Sequence, residues 1–267
     1  MKTDRATLEY LNSLVILGHQ VLYRNLEENK EKQASLFFRF PESIRKQIGP
    51  VALSAILFFV PAIIAYCAVL SNPELGYDLV PDGFIDFAPA QADNIHKIPS
   101  ITRPIAASGI ITNNIQVTFL AFAFGITAGI GTCYVLIFNG IHLGSIAAWM
   151  QLNGNGYALW GWIMPHGATE ILAIILSGAA GFILGNAILR PGTLSCKEAL
   201  KKAAKTALAI ELGCMGMLII AGLIEGFISP SSLTYIPRLA IFGGSILLWT
   251  AYFAFVKSRE RGRGKGS

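Results

Sequence analysis

Two ionisable side chains stand four residues apart in one of the most apolar stretches of this 267-residue chain. They are His166 and Glu170, in "GWIMPHGATEILAI" (161–174). Residues at i and i+4 share one helix face, so the imidazole and the carboxyl group would be neighbours. A charge at the centre of a membrane helix costs about 2.5–3.5 kcal/mol on insertion scales, so the pair needs stabilising surroundings. Pro165 fits a first helical turn, which predicts that the pair lies at a helix N-terminus, where the dipole favours an anion.

Two further polar residues are expected at the same level of a helical bundle. Asn114 would begin one span and Glu225, in "GLIEGFISPS", would end another. We therefore predict one polar intramembrane cluster in the outer half of the bundle, formed by Asn114, His166, Glu170 and Glu225. The alternative is that these residues are separate and interfacial, each exposed to headgroups and water.

A second set of polar residues has weaker functional signals: Asn113, Asn139, His142 and Glu211. Asparagine more often caps or breaks a helix than binds a ligand, so Asn139 is read as part of a break near Phe138–Gly140. His142 is expected near the inner end of that broken pair. Glu211 could pair simply with Lys205 or with a helix terminus.

A metal site has suitable side chains but poor spacing. His142, His166, Glu170 and Glu225 could ligate an ion, yet there is no HExxH and the two histidines should fall at opposite ends of a span. No GxSxG elbow or P-loop is present either. We therefore expect no metal, no cofactor and no enzymatic activity, and a metal-dependent intramembrane hydrolase is the weaker alternative.

Composition places these residues in a membrane protein. The chain is 53% hydrophobic and 14% charged, with a mean hydropathy of +0.54, whereas soluble domains carry about 25% charged residues. Apolar runs reach the roughly 20 residues that span a bilayer. The predicted fold is all-α, a polytopic membrane helical bundle. Nucleic-acid binding is not expected, because a membrane surface explains the basic tail better.

Charge placement predicts the topology. The spans should be 51–70, two within 114–152, 164–190, 206–228 and 237–256. The basic loop 190–205 and both termini should be cytoplasmic, and the acidic segment 72–112 extracytoplasmic. This placement of the loop, the termini and segment 72–112 requires six membrane segments, with 114–152 crossing twice or forming a broken or re-entrant hairpin. A five-span protein, with a basic loop or tail outside, is the alternative.

Three regions follow from this topology. Residues 1–49 would be a cytoplasmic amphipathic helix plus an interfacial helix beginning near Pro41, residues 50–257 the transmembrane domain, and residues 258–267 a basic cytoplasmic tail. Small-xxx-small spacing predicts close helix packing in lipid. The glycines concerned are Gly125, Gly129, Gly140, Gly144, Gly181, Gly185, Gly222 and Gly226.

Several segments together resemble the stage II sporulation protein M family of bacterial membrane proteins. They are "ITNNIQVTFLAFAFGITAGIGT", "FNGIHLGSIA", "MPHGATEILAIILSGAAGFILG", "LRPG" and "IAGLIEGFISPS". The resemblance covers almost the whole chain. Its best-known members act with peptidoglycan-degrading enzymes during engulfment in spore formers, as an anchor or scaffold, while relatives in non-sporulating bacteria have no settled role.

The resemblance implies a non-enzymatic scaffold in the bacterial cytoplasmic membrane. Expected partners are the lipid bilayer and envelope membrane proteins or cell-wall hydrolases, and homo-oligomers are compatible with this role. The alternative is a permease or channel component, because intramembrane His and Glu residues are common where ions or solutes pass.

Overall fold

The structure is a computed structural model that describes residues 36–81, 85, 103–229, 231 and 233–256. Side chains are described throughout these ranges except at 103–111 and 158. The predicted helix in residues 4–33, the tail 258–267 and residues 82–84 and 86–102 of segment 72–112 lie outside the described residues. In the described part, every regular element is helical: α1 (36–46), α2 (Ile48–Ser71), α3 (Leu75–Leu79), α4 (Arg103–Ala123), a 3₁₀ turn (Phe124–Thr127), α5 (Ile130–Leu152), α6 (Gly156–Leu189), α7 (Cys196–Phe227) and α8 (Tyr235–Phe255).

Five of these helices are long and apolar enough to cross a membrane. They are α2, α5, α6, α7 and α8. The predicted class, an all-helical polytopic bundle, is confirmed. The count of six segments stays a prediction, since α4 is the remaining long helix and does not meet the same criteria within the described residues.

The direction of α2 and α5 bears on that count. Backbone contacts join Gly140 to Phe58 and Gly144 to Ala62. Further on, the ring of Trp149 on α5 packs against Tyr77 on α3. Because the contacting residue numbers rise together, α2 and α5 run parallel, so the chain must travel back along the bundle between them. The helix that lies between them in sequence is α4, which packs against α6 and α7.

The break in 114–152 is not at Phe138–Gly140 as predicted. Helix α5 runs unbroken through that stretch, and the chain reverses instead at Ala128 and Gly129, whose φ angles are 57° and 85°. Two successive left-handed residues end the 3₁₀ turn and redirect the backbone. Asn139 is helical, and its side-chain amide donates to the Val135 carbonyl at 2.7 Å.

Three other boundaries also differ from prediction. Helix α4 begins at Arg103, inside the stretch assigned to an outer loop, and α6 begins at Gly156 instead of near 164. Helix α7 begins at Cys196, inside the basic loop, because Ser195 and Glu198 form a capping box. In that box, each side chain bonds the other residue's backbone N–H and satisfies donors that the helix leaves free.

This cap supports a modest stability prediction. Ser195→Ala should lower the free energy of unfolding by about 0.5–2 kcal/mol, because the Glu198 N–H loses its acceptor. Denaturant titration in mixed micelles would measure it. Thr193→Ala is the matched control in the same loop and should change little. Equal stability of the two variants would contradict the capping role.

Glycines let four pairs of backbones approach closely. Besides the contacts of Gly140 and Gly144, an added Cβ at Gly125 would meet the Gly181 backbone, and one at Gly185 would meet the Gly129 backbone. These positions therefore join α2 to α5, and α6 to the turn between α4 and α5. At Gly226, by contrast, an added Cβ meets nothing within 4 Å, so this glycine makes no such approach to the residues that the structure describes.

Helix α1 packs on the bundle through a buried aromatic side chain. Phe40 is buried against Gly213 and Phe253. The helix begins by residue 36, so Pro41 lies in its interior instead of starting it as predicted. An interior proline leaves the carbonyl four residues earlier without its N–H donor. The Tyr252 hydroxyl of α8 donates to that carbonyl, on Phe37, at 2.8 Å.

Candidate functional site

Three ionisable side chains meet in the interior of the bundle. His166 and Glu170 come from α6 and Glu225 from α7, and one potential ligand atom of each lies within 4.8 Å of the others. Their exposed fractions are 2%, 6% and 0%. The side chain of Asn114, on α4, is close enough to Glu170 to interact with its carboxyl group. The structure thus brings together the four residues of the predicted cluster.

The cluster's position along α6 differs from the prediction. His166 lies ten residues after Gly156, which is about 15 Å along the helix. Pro165 is consequently an interior residue, and the helix dipole acts mainly on the first turn. Stabilisation of the polar pair must therefore come from side chains and carbonyls of neighbouring helices.

The two ring nitrogens of His166 have different neighbours. Its Nδ1 lies 3.0 Å from the Ser229 hydroxyl oxygen, and its Nε2 lies 3.8 Å from Glu170 Oε2. In the tautomer that carries the proton on Nδ1, this N–H donates to Ser229. The lone pair of Nε2 then faces the carboxyl groups.

Glu225 is the most unusual member of the cluster. Its side chain is fully buried, and neither carboxyl oxygen has a hydrogen-bond partner among the described residues. Glu170 is close enough to interact with it electrostatically. Two buried carboxylates cannot both keep their charge in an apolar interior without a compensating cation or proton. The geometry therefore leaves a place for positive charge between them.

Arg238 lies near Ser229 in the sequence, but it does not supply the positive charge between Glu170 and Glu225. Its guanidinium donates to four backbone carbonyls, at 2.8–3.0 Å, and only 5% of the residue is exposed. The acceptors are the carbonyls of Leu233, Gly161, Ser229 and Ser231. Gly161 is four residues before Pro165, so Arg238 replaces the N–H donor that this proline removes.

Sequence reasoning missed both Arg238 and Ser229. The available signal was an arginine near the start of an apolar run that is otherwise uncharged from Ile236 to Val256. Such an arginine in a membrane segment usually has a specific partner. By holding the Ser229 carbonyl, Arg238 fixes the residue whose hydroxyl bonds His166.

The remaining polar residues lie elsewhere. Glu211 is buried, and its Oε2 accepts from the Ser177 hydroxyl at 2.6 Å, so its partner is not the expected Lys205. It is fourteen residues before Glu225 on α7, about 21 Å along the helix. Asn113 is exposed, and the ring of His142 packs on Phe138, within its own helix α5.

Fold and site together define a polytopic helical membrane protein with a sealed polar centre between α6 and α7. The family model "Stage II sporulation protein M" matches residues 54–230. The chain belongs to this family. An uncharacterized protein of the archaeon Methanocaldococcus jannaschii is 34% identical over 129 residues, which are 48% of this chain and 72% of that protein. No solved structure matches the chain.

The matched region contains the whole polar cluster. Asn114, His166, Glu170, Glu225 and Ser229 lie within residues 54–230, whereas Arg238 lies beyond them. The archaeal relative also shows that proteins similar to this one occur outside bacteria. The name of that archaeal protein assigns no activity to it.

Proposed function

We propose that this protein is a non-enzymatic integral-membrane anchor for proteins that remodel the cell envelope. The observation that carries the proposal is the family match, which covers, in part or in full, five of the six helices longer than 20 residues that the structure describes. The best-known members of this family act as an envelope anchor or scaffold. The expected partners are therefore cell-wall hydrolases and other envelope proteins.

The packing of the bundle supports a static role. Backbones approach closely at four glycines. Gly140 and Gly144 lie against α2, Gly181 lies against α4, and Gly185 lies against the turn between α4 and α5. Interiors packed this closely respond poorly to displacement, because any separation forfeits many contacts at once. A bundle joined in this way suits an anchor that presents fixed outer surfaces.

Helices α2 and α8 supply apolar outer surfaces. Ile63 and Ile64 on α2 and Leu247 and Leu248 on α8 are all exposed. In a membrane these side chains face lipid or the helices of partner proteins. Segment 72–112, predicted to be extracytoplasmic, would add a polar contact surface between α2 and α4.

Crosslinking and affinity purification from native membranes would test the anchor. We expect cell-wall hydrolases or other envelope enzymes to be enriched over a matched unrelated membrane protein. Replacing residues 86–98 by a Gly-Ser linker of equal length should reduce that enrichment at least several-fold. The same replacement of residues 258–267 is the control. Unchanged recovery after the first replacement would exclude this contact surface, and no enrichment with the intact chain would reject the anchor itself.

A permease or channel component is the second candidate, supported by the buried polar cluster. Ionisable residues inside a membrane bundle commonly mark an ion or proton pathway. Proton and cation flux into liposomes containing the protein would decide. A flux above that of empty liposomes, abolished by Glu170→Gln, would favour this candidate over the anchor, and an equal flux in both proteins would exclude the route through Glu170.

A further inference from the structure

We propose that His166, Glu170 and Glu225 bind one divalent transition-metal ion between α6 and α7. The inference goes beyond the anchor function, and neither result depends on the other. It revises the expectation of no metal site, which rested on the missing HExxH motif and on the separation of the two histidines. The fold brings together the other three candidate ligands, with Glu225 supplied by α7.

The spacing of the three groups suits direct coordination. Zinc–nitrogen and zinc–oxygen bonds of about 2.0–2.2 Å put neighbouring ligand atoms of a tetrahedral site about 3.3–3.5 Å apart. His166 Nε2 and Glu170 Oε2 are 3.8 Å apart, and all three ligand atoms lie within 4.8 Å. Small side-chain rotations are enough to bring them to bonding distance.

The charge of the site also suits a divalent cation. Two carboxylates and a neutral imidazole carry a formal charge of −2, which one such ion neutralises. Glu225 gives independent support, because it is fully buried and both its oxygens lack a hydrogen-bond partner among the described residues. A bound ion would satisfy an oxygen that the protein itself leaves without a donor.

The neighbouring groups match those that orient metal ligands. A ligating histidine almost always donates its other ring N–H to an oxygen. His166 Nδ1 has such a partner in Ser229, whose carbonyl is held by Arg238. The side chain of Asn114 is close enough to Glu170 to interact with its carboxyl group and help to orient it.

The ligand set also indicates the kind of metal. Imidazole suits zinc and other first-row transition ions, while Mg²⁺ and Ca²⁺ prefer oxygen ligands and, for Ca²⁺, six or more of them. Three protein ligands leave a fourth tetrahedral position open to water. Zinc is therefore the ion to test first, with magnesium as the contrasting ion.

Metal analysis of the purified full-length chain tests the proposal. After equilibration with Zn²⁺ and removal of free ion, we expect about one zinc per chain in the wild type and less than a tenth of that in Glu225→Gln. Glu211→Gln, which changes another buried glutamate of α7, is the matched control and should keep the wild-type content. Circular dichroism and size-exclusion profiles establish that each variant is folded.

Two further measurements separate a built site from a structural carboxyl cluster. Ser229→Ala should weaken zinc affinity by about 10–100-fold, and Zn²⁺ but not Mg²⁺ should raise the unfolding temperature of chelator-treated wild type. Less than a tenth of a zinc per wild-type chain, or equal content in wild type and Glu225→Gln, would overturn the proposal. A proton shared by the two carboxyl groups would then be the compensating charge.

Discussion

Replacing Arg238 by methionine is expected to lower the free energy of unfolding by about 3–5 kcal/mol. The guanidinium donates to four backbone carbonyls from two separate parts of the chain. Methionine fills similar space but leaves these acceptors without donors, and each buried unsatisfied polar group costs about 1–3 kcal/mol. The Gly161 carbonyl has no helical alternative, because Pro165 lacks the N–H that would otherwise bond it. Denaturant titration in mixed micelles would measure the loss.

Two variants make this expectation specific to the guanidinium. Arg190→Met removes the same charge at an exposed position after α6 and should change stability by less than about 0.5 kcal/mol. Arg238→Lys should recover only part of the loss, because an ammonium group is a compact point charge and lacks the planar fork of five donors. Full recovery by lysine would show that charge alone matters, and the hydrogen-bond argument would then fail.

Replacing Gly144 should have an effect of similar size for a different reason. An added Cβ would lie much closer to the Ala62 carbonyl oxygen than the sum of their van der Waals radii, and that oxygen belongs to rigid backbone. Helices α2 and α5 would have to separate. We expect Gly144→Ala to cost about 1–3 kcal/mol, as overpacking of a filled core does, and Gly144→Leu to cost more and to reduce the yield of folded protein.

The matched control variant for this prediction should change the free energy of unfolding in the opposite direction. Gly216 lies within α7, and an added Cβ there would meet nothing within 4 Å. Gly216→Ala should therefore stabilise the protein by up to about 1 kcal/mol through helix propensity. Thermal unfolding of both alanine variants in one detergent compares them directly. Destabilisation by both variants would indicate a general intolerance of methyl groups, and the specific contact between α2 and α5 would lose its support.

Much of the architecture follows from local sequence because a membrane span needs about 20 apolar residues. The expected first span, 51–70, became Ile48–Ser71, and the expected last, 237–256, became Tyr235–Phe255. Boundaries were wrong where a distant side chain changes the local preference. Pro165 was read as a helix start, but the donor that permits it inside α6 comes from Arg238, 73 residues later.

The break between α4 and α5 illustrates a second limit. Both candidate sites contain glycine, and Phe138–Gly140 also contains an asparagine, which favours turns. The actual reversal uses Ala128 in the left-handed region, which alanine rarely adopts. Thr132 helps to hold this turn because its hydroxyl donates to the Ala121 carbonyl at 2.8 Å. That contact exists only once the two helices are packed, so residue types alone could not indicate it.

The polar cluster was partly accessible from sequence because its members are costly in a membrane. Charged and amide groups in apolar runs are few, and the helix period places His166 beside Glu170. The supporting residues Ser229 and Arg238 were not found, since serine is common in loops and the arginine looked interfacial. Both became visible only through their bonds to His166 and to carbonyl oxygens.

Helix α8 donates hydrogen bonds to two carbonyl groups that prolines in other helices leave without their usual donor, and this has a consequence for biosynthesis. Tyr252 serves the carbonyl released by Pro41, and Arg238 serves the one released by Pro165. Among the described residues, α8 is synthesised after all the other long helices. A prematurely terminated chain would therefore insert its earlier helices with two carbonyl oxygens lacking their donors, one near each end of the bundle. Synthesis of α8 is thus needed before the hydrogen bonding of two earlier helices, α1 and α6, is complete.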